Sequence, residues 1–179
     1  MGAVVSTLAA PATTLAQREA KKTVHGALMI WSWGVFIPSA MMLAAAGKPI
    51  FDQWFKLHRA LGVAGAAMSA VAVLLGRQVG SGAERATNHR RFGYFVVLIA
   101  LAQPVIAASR PNPKKDPDGR ARWYAIHKYL AWLALLLGAA NIRSGLRMWD
   151  PRSALSLMYS SGVVSAGAVV AAWNAAALM

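Results

Sequence analysis

Residues 123–147 read WYAIHKYLAWLALLLGAANIRSGLR, a long apolar stretch with a single histidine, His127, in its second turn. About 20 mainly apolar residues are enough to cross the hydrocarbon core of a bilayer as a helix. Four further stretches meet this requirement, at residues 24–46, 55–77, 89–109 and 154–177. Backbone polar groups in lipid must be paired internally, and no alternating strand-length segments suggest a barrel. We therefore predict an all-α integral membrane bundle of five transmembrane helices.

The composition also favours a membrane protein. Of the 179 residues, 57% are hydrophobic and only 14% are charged, and the mean hydropathy is +0.42. The net charge of +13 comes from 19 Lys and Arg, which flank the apolar stretches as lipid-headgroup contacts do. We expect membrane lipid as a partner and no nucleic acid.

The apolar stretches divide the chain into three parts. Residues 1–23 form an N-terminal extension with a short interfacial helix near 17–22, residues 24–148 a four-helix core, and residues 149–179 the fifth transmembrane helix. The start of the chain lacks the basic region of a secretory signal, so no cleaved signal is expected. Residues 1–6 fit the loose myristoylation pattern at Gly2, a short match that often arises by chance.

The chain contains four histidines, and each lies in the first turns of a different apolar stretch. His58 and His127 share one motif: Trp, aromatic, any residue, aliphatic, His, basic. His25 and His89 instead each follow a threonine by two residues. Short loops make successive helices antiparallel, so the first and third helices start at one face and the second and fourth at the other. Motif and topology therefore predict the same pairs, His25 with His89 and His58 with His127.

Paired imidazoles within membrane spans are candidate metal ligands, because ionisable groups are costly there and neutral imidazole binds metals. A tetrahedral zinc site would need Cys or carboxylate ligands that neither pair has nearby, and copper usually adds a sulfur ligand. Two axial histidines suit a haem iron. We predict haem b between His25 and His89 and a second haem b between His58 and His127. The alternative for each histidine is an interfacial or hydrogen-bonded side chain.

Basic and amide side chains near these pairs are candidates for binding the haem groups. The propionates of the first haem would meet Arg90, Arg91 or Arg143, and those of the second would meet Lys56, Arg59, Arg122 or Lys128. Asn141 lies about 21 Å along the helix from His127, at the level of the first haem, and Gln103 reaches the level of the second by the same arithmetic. Helix–helix hydrogen bonds are the alternative role for both amides. Four tryptophans either line the haems or form interfacial belts: Trp31, Trp33, Trp54 and Trp123.

These motifs resemble the core of the cytochrome b561 family, in the branch often fused to a DOMON domain. The resemblance covers about residues 24–148. It is carried by His25-Gly26-Ala27-Leu28-Met29, Trp33-Gly34, Pro38, Trp54-Phe55-Lys56-Leu57-His58, His89-Arg90-Arg91-Phe92-Gly93, Gln103, Arg110-Pro111, Arg122-Trp123-Tyr124, His127, Leu137-Gly138, Asn141-Ile142 and Gly145-Leu146. It implies that the four histidines ligate two haem b groups at opposite membrane faces. It also implies transmembrane electron transfer, commonly from ascorbate to ferric iron or monodehydroascorbate.

The resemblance sets further expectations about partners and location. We expect no DOMON domain before Val24, so the electron donor and acceptor are small molecules or a partner redox protein. The family implies an endomembrane or plasma membrane location with a non-cytoplasmic N-terminal face. A homodimer, or a subunit of a larger complex, is the expected assembly.

Two other hypotheses remain from the sequence. The chain is alternatively a haem-bearing, chiefly structural accessory subunit of a respiratory or photosynthetic complex, in an organellar inner membrane. A third hypothesis is a haem-free transporter. Reduction of both haems by ascorbate would favour electron transfer, and stoichiometric copurification with a complex would favour the accessory subunit.

Overall fold

The computed structural model describes residues 12–50, 52–79 and 84–149, together with Met158, Tyr159 and Gly162. All regular structure in these residues is helical. The α-helices are α1 (Ala12–Trp31), α2 (Ile37–Met42), α3 (Trp54–Arg77), α4 (Glu84–Ala108) and α5 (Pro117–Trp149). A π-helical turn, π1 (Ser32–Phe36), joins α1 to α2, and a second, π2 (Leu43–Gly47), extends α2, so that the four elements form one continuous first span.

Four helical spans are long and apolar enough to cross a membrane: Leu15–Gly47, Trp54–Arg77, Ala86–Ala108 and Pro117–Trp149. They match the first four stretches predicted from the sequence, and the chain is a multi-pass integral membrane protein. The predicted fifth helix at residues 154–177 lies outside the described residues apart from Met158, Tyr159 and Gly162.

The first span differs from a uniform α-helix around Pro38. Proline has no backbone N–H, and its ring crowds the carbonyl four residues earlier, which disfavours an ordinary helical turn before it. The wider turn π1 ends at Phe36, two residues before Pro38, and relieves this crowding. By contrast, α4 continues through Pro104 to Ala108.

Residues 17–22, predicted as a short interfacial helix, are continuous with the helix that carries His25. They belong to α1, which begins at Ala12. Lys22 forms an ion pair with Glu19 one turn earlier, at 2.9 Å. Interfacial placement of this segment stays a prediction.

The four spans form a bundle in which each packs on its neighbour in sequence, and the first also touches α5. Small residues permit close approach between the first span and α3. Gly65 on α3 is one of them, since a Cβ there would lie 2.8 Å from Ile37 Cγ1. Beside it, Ser32 Oγ donates to the Gly65 carbonyl at 2.7 Å and lies 2.6 Å from Ser69 Oγ. These buried hydrogen bonds fix π1 against α3 at mid-bundle.

Candidate functional site

The structure brings the four histidines together in two pairs, one near each end of the bundle. The imidazole centroids of His25 and His89 are 6.3 Å apart, and those of His58 and His127 are 6.4 Å apart. The ring planes are nearly perpendicular in both pairs, at 82° and 79°. No third His, Cys, Asp or Glu joins either pair within the described part of the chain. Each site therefore offers two facing imidazoles.

Hydrogen bonds fix the orientation of both rings in the first pair. His25 Nδ1 lies 2.7 Å from the carbonyl oxygen of Ala72 on α3, and His89 Nδ1 lies 2.7 Å from Ser144 Oγ on α5. The Ser144 hydroxyl donates to the Asn141 carbonyl at 2.8 Å, so its oxygen is left to accept from His89. Because both partners act as acceptors, each ring carries its hydrogen on Nδ1 and keeps the Nε2 lone pair for a ligand.

The second pair is held differently. His58 Nδ1 donates to the Ala40 carbonyl at 2.8 Å, but His127 Nδ1 is buried without a hydrogen-bond partner. The His127 ring instead stacks on Trp123 one turn earlier, at 5.4 Å between centroids and 5° between planes. Stacking therefore replaces the hydrogen bond as the contact that orients His127.

Trp123 also fastens α5 to the end of α4. Its Nε1–H donates to the Ile106 carbonyl at 2.6 Å. The same carbonyl also accepts from the backbone N–H and the Oγ of Ser109, just beyond the end of α4. The indole that supports His127 is thus fixed to a neighbouring helix.

Each histidine pair faces a cavity. The His25–His89 cavity has a volume of about 330 Å³ and the His58–His127 cavity about 400 Å³. Both fall at the small end of the range, roughly 300–1,000 Å³, that is typical of ligand and cofactor sites. Most of their lining is apolar, with small residues such as Gly62, Ala66 and Gly93 among it. These linings suit a flat apolar ligand.

Basic side chains are among the residues that line both cavities. Lys22, Arg77 and Arg90 line the His25–His89 cavity. Arg59 and Arg110 line the other, and the Arg110 guanidinium carbon lies 5.4 Å from the centre of the Phe55 ring. No described carboxylate forms a salt bridge with Arg59 or Arg110. Their charge is available to an anionic group.

Two glycines place helix backbone directly against histidine rings. A Cβ at Gly76 on α3 would lie 2.8 Å from His25 Nδ1, and a Cβ at Gly145 on α5 would lie 3.0 Å from His89 Cε1. A distance of 2.8 Å is closer than real Cβ contacts allow. Gly76 therefore leaves the space that the His25 ring occupies.

The other predicted site residues are divided between the two cavities. Arg90 and Asn141 line the His25–His89 cavity, and Arg59 and Gln103 line the His58–His127 cavity. Arg143 is exposed on α5 and lines neither cavity, so its role in binding stays a prediction. Both polar atoms of the Gln103 amide are buried without a partner.

Sequence reasoning missed three of the groups that hold the histidine rings. The carbonyls of Ala72 and Ala40 carry no side-chain signal, because any residue type supplies the same acceptor. Ser144 could have been predicted as a site residue, since it lies one turn after Asn141 on the same helix. Trp33 and Trp123 were assigned either to the haems or to interfacial belts, and the structure places both in the cavity linings.

These observations define a class: a multi-pass helical membrane protein with a histidine pair facing a cavity near each end of the bundle. The chain is 29% identical over 153 residues to a cytochrome b561 and DOMON domain-containing protein of Arabidopsis thaliana. A second such Arabidopsis protein is 30% identical over 131 residues, which is 73% of this chain. A ferric-chelate reductase 1 of Bos taurus is 32% identical over 102 residues, or 52% of the chain.

These relatives confirm the resemblance found in the motifs, since proteins named for cytochrome b561 align with most of this chain. The alignments cover 84% and 73% of this chain for the two plant proteins but only 37% and 32% of those proteins. The chain thus spans about a third of their length, and about a sixth of the bovine reductase at 17%. No family model matches the chain, and no solved structure gives a significant match.

Proposed function

We propose that this protein passes electrons across a membrane through two haem b groups, one in each histidine-lined cavity. The observation that carries the proposal is the spacing of the facing rings, 6.3 Å and 6.4 Å between centroids. An imidazole nitrogen binds a transition metal at about 2.0–2.1 Å and lies about 1.1 Å from its ring centre, so two coaxial rings on one metal have centroids about 6 Å apart. Both pairs have this spacing.

The hydrogen bonds on Nδ1 support the ligand assignment. A histidine that binds metal through one nitrogen donates the other N–H to an acceptor, which fixes the tautomer and makes the ligand more basic. His25, His58 and His89 have such acceptors in Ala72, Ala40 and Ser144. Those three side chains are therefore prepared to bind iron before the cofactor arrives.

The basic side chains that line the cavities support the orientation of the cofactor. Guanidinium groups pair with carboxylates by charge-assisted hydrogen bonds, and haem carries two propionates. We assign Arg59 and Arg110 to the group in the His58–His127 cavity, and Arg90 with Lys22 to the group in the other. Asn141 contributes a polar contact to the group in the His25–His89 cavity, and Arg143 stays a candidate contact for the same group.

Bound in these cavities, haem supplies a one-electron couple. The four histidines would hold the two groups, and the apolar linings of the cavities would exclude water from them. Along α3, His58 and Ala72, which holds His25, are 14 residues or about 21 Å apart. The two sites thus lie at different depths, and successive transfer between them carries an electron across most of the bilayer.

We propose a small-molecule donor such as ascorbate, and a ferric or monodehydroascorbate acceptor. The resemblance to the cytochrome b561 family implies these classes, and the bovine relative is named as a ferric-chelate reductase. In this proposal residues 24–148 are the electron-transfer core, and residues 149–179 are a packing helix. The relatives do not favour the hypothesis of a chiefly structural accessory subunit.

Purified protein in liposomes tests the proposal. Vesicles loaded with ascorbate are placed in ferricyanide, which does not cross the membrane, and haem reduction and acceptor loss are followed by absorbance. We expect a reduced haem b spectrum and acceptor consumption that stops in His25→Ala and in His58→Ala. Thr23→Ala, an exposed residue on α1, is the matched control and should transfer electrons at the wild-type rate. If ascorbate does not reduce the haem, ascorbate is not the donor. If electron transfer persists in both histidine variants, electrons do not pass through the two histidine-lined cavities.

A further inference from the structure

One aromatic side chain is common to the linings of the two cavities. Trp33 alone among the described residues lines both the His25–His89 cavity and the His58–His127 cavity. It is only 2% exposed. On the first span it comes 8 residues after His25 and 7 before Ala40, which holds His58, or about 12 Å and 10 Å of helix rise. Its indole therefore lies near the midpoint between the two sites.

The indole is held in a single position by its surroundings. A Cβ at Gly138 on α5 would overlap the six-membered ring of Trp33, so α5 approaches the ring through the space that only a glycine leaves. The turn that carries Trp33 is anchored by the hydrogen bonds of its neighbour Ser32 to Gly65 and Ser69. Val96 and Ala134 belong to the same buried cluster. A side chain packed this tightly keeps constant contact with both cavities.

We propose that Trp33 is the bridge through which an electron passes between the groups in the two cavities, an inference that rests on the proposed function. Electron tunnelling weakens less through bonded and polarisable atoms than across an equal gap between separate molecules. The indole has the largest π system available to fill this position. One electron leaves the reduced group at one histidine pair and arrives at the oxidised group of the other. The indole itself stays neutral, and no proton is transferred.

A packing role alone would give a different pattern of effects. Replacing a packing residue lowers stability or loses haem, whereas replacing a bridge slows transfer between sites that remain fully occupied. Trp33→Phe keeps an aromatic ring of smaller size, and Trp33→Leu removes the π system. Trp31 offers a matched control, because it is a tryptophan two residues away that is 56% exposed and lines neither cavity.

The experiment measures three quantities on purified wild-type protein and on Trp33→Phe, Trp33→Leu and Trp31→Leu. They are haem content, the two midpoint potentials by redox titration, and the biphasic haem reduction after mixing with a donor in a stopped-flow instrument. The fast phase reports reduction of the haem that reacts directly with the donor. The slow phase reports reduction of the second haem by electrons from the first. We expect Trp33→Leu to slow the second phase severalfold at unchanged haem content and potentials. Trp33→Phe should be intermediate and Trp31→Leu unchanged.

The outcomes separate this inference from the proposed function. A wild-type protein without two haems overturns the proposed function before any variant is compared. A second phase that keeps its rate in Trp33→Leu or Trp33→Phe with both haems bound overturns the bridge. Loss of haem from Trp33→Phe as well as Trp33→Leu also overturns it, because it identifies Trp33 as a packing residue.

Discussion

The two histidine cavities are built from the same ligand pair but are completed in different ways. Around His25 and His89 both Nδ1 atoms have hydrogen-bond acceptors within the protein. Around His58 and His127, His127 Nδ1 and the Gln103 amide are buried without partners, and a stacked tryptophan orients the ring. The first site is therefore set by hydrogen bonds on both rings, whereas the second is set by one hydrogen bond, from His58 to the Ala40 carbonyl, and by the stacking of His127 on Trp123.

Removing one histidine at a time should have the largest effect and tests whether the two sites bind haem independently. His25→Ala or His89→Ala should empty only the first cavity, and His58→Ala or His127→Ala only the second. Haem per chain should fall from two towards one in each variant, because the site that loses a histidine keeps only one of its two bonds to the iron and binds haem more weakly. The haem-to-protein ratio, measured with a pyridine haemochrome assay, checks this. A single replacement that leaves both haems bound would disprove the pairing.

Crowding the ring of His25 should have the next largest effect. Gly76→Ala puts a Cβ 2.8 Å from His25 Nδ1, so the ring must move away from the Ala72 carbonyl. Disturbing an outer-sphere partner typically costs about 10–100-fold in metal affinity, and displacement of the ligand itself costs at least that. Haem titration of the apoprotein measures the affinity of each site.

Gly34→Ala is the matched control for that variant, because its Cβ would make an ordinary contact 3.9 Å from Ile30 Cγ2. We expect it to bind both haems normally. Equal loss of affinity in the two glycine variants would show that the effect comes from helix packing rather than from the ring of His25.

Removing the hydroxyl that holds His89 should weaken the first site by about tenfold. Ser144→Ala leaves the His89 Nδ1 hydrogen without its acceptor at 2.7 Å, so the ring loses its fixed tautomer. The second site has no such hydroxyl and should be unchanged. Redox titration should show one of the two midpoint potentials shifting. A shift in both potentials would contradict the assignment.

The smallest effect is expected at the stacked tryptophan. Trp123→Phe keeps an aromatic ring beside His127 but loses the indole hydrogen bond to Ile106, worth about 1 kcal/mol in stability. Trp123→Leu removes the stack as well and should in addition lower haem affinity at the second site. Thermal unfolding and haem titration separate the two effects. If Trp123→Leu binds haem as tightly as Trp123→Phe, stacking does not orient His127.

The sequence was sufficient to predict the first four spans and the histidine pairs, because both follow from local apolar length and antiparallel order. The rise of 1.5 Å per residue also put Asn141 and Gln103 at the correct levels, since α4 and α5 are continuous. The wide turns of the first span depend on how Pro38 packs against α3, and no local pattern specifies them. The position of Trp33 depends on Gly138, over 100 residues away in the chain, so the sequence left its role open.

The central claim is that two haem groups are each bound by two histidines with nearly perpendicular rings. Electron paramagnetic resonance of the oxidised, purified protein, taken with its haem content, tests this most directly. We predict two haem b per chain, both low-spin and strongly anisotropic, as perpendicular axial imidazoles produce at ring angles of 82° and 79°. One haem per chain, or a high-spin signal from an iron with an open axial position, would contradict the account.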